Sequence, residues 1–69
     1  MGVIILGRHF VNNKTGKKYY VTGLATNTTN AQDGQEMILY QRVVNGNLDR
    51  SITFCRQLAE FIDKFKETI

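Results

Sequence analysis

The chain reads as a mainly β domain with one C-terminal helix, of the α+β class: a small antiparallel SH3-like barrel or meander of four to five strands, capped by a helix over residues 56–67. Three observations carry this expectation. Turn residues punctuate apolar runs at short intervals, the run at residues 37–44 is dense in β-forming side chains, and the last fifteen residues switch to a helical period.

The first strand is expected near residues 4–11 and the second near 18–25, because "VNNKTGKKYYV" sets the turn cluster Asn12, Asn13, Lys14, Thr15 and Gly16 between apolar ends. In the second strand Tyr19, Val21 and Ala25 alternate with Tyr20, Thr22 and Leu24, and Gly23 interrupts the pattern, which predicts a bulge or sharp bend. "EMILYQRVV" is apolar on both faces and predicts a central strand at 37–44. The triplet "NGN" at 45–47 then predicts a tight hairpin, since Asn and Gly tolerate the positive φ that such turns need, and a return strand over 48–54. In the tail, Leu58, Phe61, Ile62, Phe65 and Ile69 fall at i, i+3, i+4, i+7 and i+11, the stripe of an amphipathic helix covering one open face of the sheet.

Sixty-nine residues without Pro, repeat or low-complexity linker form a single domain, residues 1–69, and so short a chain has a small core. One cysteine, Cys55, allows no internal disulfide, and with the one histidine, His9, it is too few for a zinc site of four protein ligands. Lacking such staples, the domain is expected to associate as a homo-oligomer. The N-terminal apolar run at 3–6 is too short for a signal h-region or a membrane span, so a cytoplasmic protein without membrane contact is expected.

Charge is unevenly spread. Residues 1–32 hold Arg8, Lys14, Lys17 and Lys18 without an acid, +4, whereas residues 33–69 hold five basic and six acidic groups, −1. Clustered cations raise the local concentration of phosphates, so the first hairpin, with Lys14, Lys17 and Lys18, is a candidate nucleic-acid contact. Between the second and third strands, "TNTTNAQDGQ" at 26–35 offers amide and hydroxyl groups in both hydrogen-bonding senses, a set suited to a ligand such as a base or sugar. A nucleophile needs a base within reach, and His9 is the only candidate partner for Cys55. Asp33 and Glu36 alone are too few oxygen ligands for a hard cation, and no phosphate-binding glycine loop or dinucleotide fingerprint occurs. Neither an enzyme, nor a cofactor, nor a metal is expected.

"RHF" at 8–10, "YYVTGLA" at 19–25, "MILYQR" at 37–42 and "FCRQLAEF" at 54–61 stand in this order over nearly the whole chain. Together they resemble a family of short bacterial and phage domains of unknown function, with Phe54 where the family usually has Trp and Gln57 where it has Pro. The resemblance implies a compact SH3-like β-barrel in a phage setting, acting by binding, as an anti-defence or other accessory protein in the host cytoplasm. Arg8, Arg42 and Arg56 match its arginine positions, and a guanidinium fork holds phosphate bidentately. The expected function is therefore a non-enzymatic module that captures a small phosphate-bearing, nucleotide-derived ligand. Its expected site comprises Arg8, His9, Tyr20, Asn27, Thr28, Asn30, Tyr40, Arg42 and Arg56, completed if need be by a second copy. The alternative is a module that binds nucleic acid, or inhibits a host protein, through the basic first hairpin.

Overall fold

A computed structural model describes residues 6–28 and 34–68. Six strands and one helix follow in the order β1 (His9–Asn12), β2 (Lys18–Asn27), β3 (Gln35–Val44), β4 (Asn47–Leu48), β5 (Phe54–Gln57), α1 (Leu58–Lys64) and β6 (Phe65–Glu67). All pairings are antiparallel, and the sheet runs β4-β3-β2-β1-β6 with β5 also on β3. The expected class, mainly β with one C-terminal helix, is what the molecule shows. The sheet is an open meander, however, and not a closed barrel, because no pairing joins the β4/β5 side to β6 among the described residues.

Local chemistry sets each turn. After β1 the Asn12 side-chain oxygen accepts from the backbone N–H groups of Lys14 and Thr15 at 2.9 and 3.0 Å, and Gly16 supplies the positive φ, +74°, that brings the chain back. The expected irregularity at Gly23 is a bulge: the β2–β3 register steps from Val21–Tyr40 to Gly23–Leu39, leaving Thr22 as the extra residue. Asn45 and Gly46, at φ 53° and 78°, close the two-residue hairpin between β3 and β4.

The first strand, expected near 4–11, starts only at His9 among the described residues, with Leu6 and Gly7 in a turn before it, and three further boundaries change. The strand expected over 48–54 is interrupted after Leu48, because the Asp49 carboxylate accepts from both the N–H and the hydroxyl of Ser51 and diverts the chain into a local turn. Those same bonds, the hydroxyl first and the N–H second, hold the Asp49 carboxyl below its ordinary range. Between the pairs Val43–Leu48 and Tyr40–Phe54 the returning chain advances six residues while β3 advances three, and pairing then resumes as β5. The helix expected over 56–67 is confined to Leu58–Lys64. Beyond it Phe65 is extended, and residues 65–67 pair with the otherwise open edge of β1, so ladder bonds displace the last helical turn. The polar loop expected at 26–35 is shorter, since Thr26 and Asn27 already pair with Glu36 and Gln35 as the end of the hairpin.

The core lies between the sheet and α1: Phe10, Val21, Ile38, Tyr40, Phe61 and Phe65 are buried, with Tyr19 and Leu58 against them. Phe61 and Phe65 stack at 4.4 Å between centroids, and Phe10 meets Phe61 edge-on at 5.0 Å. Ile62, counted in the helical stripe, is 50% exposed instead. It sits beside the seam, while Ile69 lies outside the described residues. No described helix is long and apolar enough to cross a membrane.

Candidate functional site

Alternation along the paired strands divides every side chain between two faces of the sheet. The helix-side face carries Phe10, Tyr19, Val21, Ile38, Tyr40, Phe54, Arg56 and Phe65, the residues that meet α1 or one another in the aromatic cluster. The outer face carries His9 and Val11 from β1, Lys18 and Tyr20 from β2, and Met37, Leu39, Gln41 and Val43 from β3. Ala25 of β2 adds to it opposite Met37, as do Leu48 from β4, Cys55 and Gln57 from β5, and Lys66 from β6. No described element packs on this outer face. Val11, Tyr20, Met37, Leu39, Val43 and Leu48 are consequently half-buried, screened only by their neighbours in the sheet.

Charge follows the same division. Glu36 and Glu67 sit on the helix-side face, opposite Thr26 and Phe10, while Glu60 and Asp63 belong to α1 and Asp49 is engaged in its turn with Ser51. No carboxylate among the described residues lies on the outer face, whereas Lys18 and Lys66 do, and Arg50 borders it. A shallow groove of about 280 Å³ is lined there by His9, Tyr20, Val43, Gly46, Leu48 and Arg50. It continues into a depression of about 420 Å³ lined by His9, Lys18, Val43, Gly46 and Thr68. The His9 and Tyr20 rings face each other at 4.8 Å, tilted by 56°, and form its aromatic floor.

Of the residues the sequence nominates, His9 and Tyr20 come together in this groove, with Lys18 beside them. The remainder disperse. Arg8 is on the other face, in an ion pair with Glu67 at 2.7 Å. Arg56 donates to the Tyr40 hydroxyl at 3.2 Å, pairs with Glu60 one helical turn on, and lies 5.9 Å above the Phe65 ring. The Tyr40 bond, more than Glu60, pushes the guanidinium further above its ordinary range. Two of the three matched arginines therefore already hold carboxylates, and Tyr40 is core rather than a stacking surface. Arg42 is exposed on the helix side opposite Tyr19. Asn27 and Thr28 lie at the far end of the β2–β3 hairpin, where five residues at about 3.3 Å each separate Gln35 from Tyr40, about 17 Å. Asn30 is outside the described residues. Cys55 and His9 are kept apart by two intervening strands, about 14 Å at strand spacing.

Lys14 sits in the β1–β2 turn, beside a second depression of about 300 Å³ formed with Asn12, Asn13, Thr15, Asp63 and Lys64. Its polar groups serve the fold: Asn13 donates from its backbone to the Lys64 carbonyl at 2.9 Å and from its side chain to the Asp63 carbonyl at 3.3 Å. Lys17 lies just before β2 and is exposed. Sequence reading missed Lys66 and Arg50. Lys66 was hidden because a helical period assigns it to the solvent side of a helix, and only the β1–β6 ladder sets it across from Val11. Comparison of the chain with protein families, with curated proteins and with solved structures finds no match.

Proposed function

We propose that the protein is a non-enzymatic binding module that takes a single-stranded nucleic acid on the outer face of its sheet. One observation favours this above the alternatives: the only broad face of the sheet left uncovered by described elements is also free of carboxylates among them and ringed by Lys18, Lys66 and Arg50 around the His9–Tyr20 pair. Cations track a phosphate backbone, and aromatic rings on a sheet accept unstacked bases at about 1–3 kcal/mol each. The open form of the groove supports a strand over an enclosed ligand, because small-molecule sites bury most of their ligand. With about three phosphates neutralised, log K should fall with log salt at a slope of about −2, or about sixteenfold weaker binding from 50 to 200 mM. Fluorescence anisotropy with labelled single-stranded DNA, single-stranded RNA and duplex measures this. Binding that ignores salt, or no binding to any of the three, contradicts the proposal.

A single phosphate-bearing nucleotide is the second reading, favoured by the size of the groove beside His9, Tyr20 and Arg50. Competition by free mononucleotides at concentrations comparable with the oligonucleotide would select it. Competition only at great excess would select the strand.

A further inference from the structure

We infer that Gln41 makes the outer face prefer adenine among the bases, with Thr53 holding its side-chain amide in place. The inference rests on the reading of that face as a single-strand surface. Cations and stacking rings do not choose between bases, because every nucleotide carries the same phosphate and every base has a π-face. A preference has to come from a side chain that hydrogen-bonds base edges beside the rings. Two described residues of the outer face carry an amide, Gln41 and Gln57. Gln57 stands opposite Met37, four residues along β3 from Gln41, or about 13 Å. Gln41 stands directly opposite Tyr20, and Tyr20 opposite His9, so amide, phenol and imidazole form one row across β3, β2 and β1. Cβ atoms of such partners are about 4.5–5.5 Å apart, which puts the amide within reach of the edge of a base on the Tyr20 ring.

The neighbouring row holds the phosphates. Lys18 and Lys66 stand on either side of Val11, two residues along β1 from His9, so a strand tracking these lysines lays its bases over the row of His9, Tyr20 and Gln41. The His9 and Tyr20 rings already touch, at 4.8 Å between centroids, and a base therefore rests on the pair and not between its members. Nε2 of Gln41 donates to the Thr53 hydroxyl at 2.9 Å. A side chain anchored before the ligand arrives loses less freedom on binding. The amide keeps a second N–H and its Oε1, a donor beside an acceptor. Adenine answers that pair on both edges it exposes in a single strand, N6 donating beside the acceptor N7 on one and beside the acceptor N1 on the other. Guanine offers two acceptors, O6 and N7, on the first edge, and so, like cytosine and thymine, has a complementary pair on one edge only.

Fluorescence anisotropy with labelled DNA single strands of about twelve nucleotides tests this, comparing strands of dT or dC alone with strands carrying dA at alternate positions. The unmodified chain should bind the dA-bearing strands about five- to 150-fold more tightly. Gln41→Leu should abolish that preference while the salt slope, which counts phosphates, is retained. Thr53→Val keeps the amide but removes its anchor, and should reduce the preference. Circular dichroism reports whether each variant is folded, and should Gln41→Leu unfold, the exposed position 53 decides the matter alone. Equal binding of all strands, a preference for another base, or a preference that survives Gln41→Leu or is undiminished by Thr53→Val would overturn the inference. If binding in those cases still falls with salt, the single-strand reading stands without it. No binding to any strand would overturn both.

Discussion

Phe61→Ala should remove most or all of the folding stability. Phe61 is fully buried, and its ring contacts Phe65 at 4.4 Å, Phe10 at 5.0 Å and Tyr40 at 5.1 Å, so it ties α1 to both β1 and β3. Truncating such a side chain costs about 3–5 kcal/mol, whereas a domain of this length has roughly 3.5–10 kcal/mol in total. Urea unfolding followed by circular dichroism should show the variant partly or wholly unfolded without denaturant. Ile62→Ala, one residue on but exposed, should cost less than about 0.5 kcal/mol. Equal losses at the two positions would mean that the helix docks through a different face.

Replacing both outer-face lysines, Lys18→Gln with Lys66→Gln, should cut the salt slope by about 1.4 and weaken single-strand binding by one to two orders of magnitude at low salt. The pair is informative because the two residues are 48 positions apart in sequence and come together only through the ladders that join β6 to β1 and β1 to β2. Both are exposed, so the fold should survive. Lys64→Gln, a lysine of α1 on the other side of the molecule, is the matched control and should leave affinity and slope nearly unchanged. A loss that follows Lys64, and not Lys18 and Lys66, would move the contact to the helix.

How far the sequence reaches is visible in particular residues. The turn at Asn12–Gly16, the bulge beside Gly23 and the hairpin at Asn45 and Gly46 were legible because each rests on a short-range rule: an Asx hydrogen bond, a missing Cβ, or tolerance of positive φ. The end of the helix was not. Phe65 satisfies a helical stripe and a buried strand position equally well, and the choice fell to β1, whose open edge is a tertiary fact. That one ambiguity also concealed the basic face, since moving residues 65–67 from helix to strand is what brings Lys66 alongside Val11. The asymmetry between the +4 and −1 segments did not foretell it: of the first segment's cations only Lys18 lies on the outer face, while Lys66 and Arg50 come from the second segment. The three arginines illustrate the converse: residue type suggested phosphate, but Glu67 and Glu60 lie within reach of two of them.

The central claim is that the uncovered face of the sheet is where the molecule recognises its ligand. Its most direct test is a nuclear magnetic resonance titration of isotopically labelled protein with a short single-stranded oligonucleotide, followed amide by amide. The predicted result is a contiguous set of shifts at His9, Val11, Lys18, Tyr20, Val43 and Lys66, with residues 58–64 still. Shifts confined to α1 or to Asn27 and Thr28, with those outer-face amides unmoved, would contradict it.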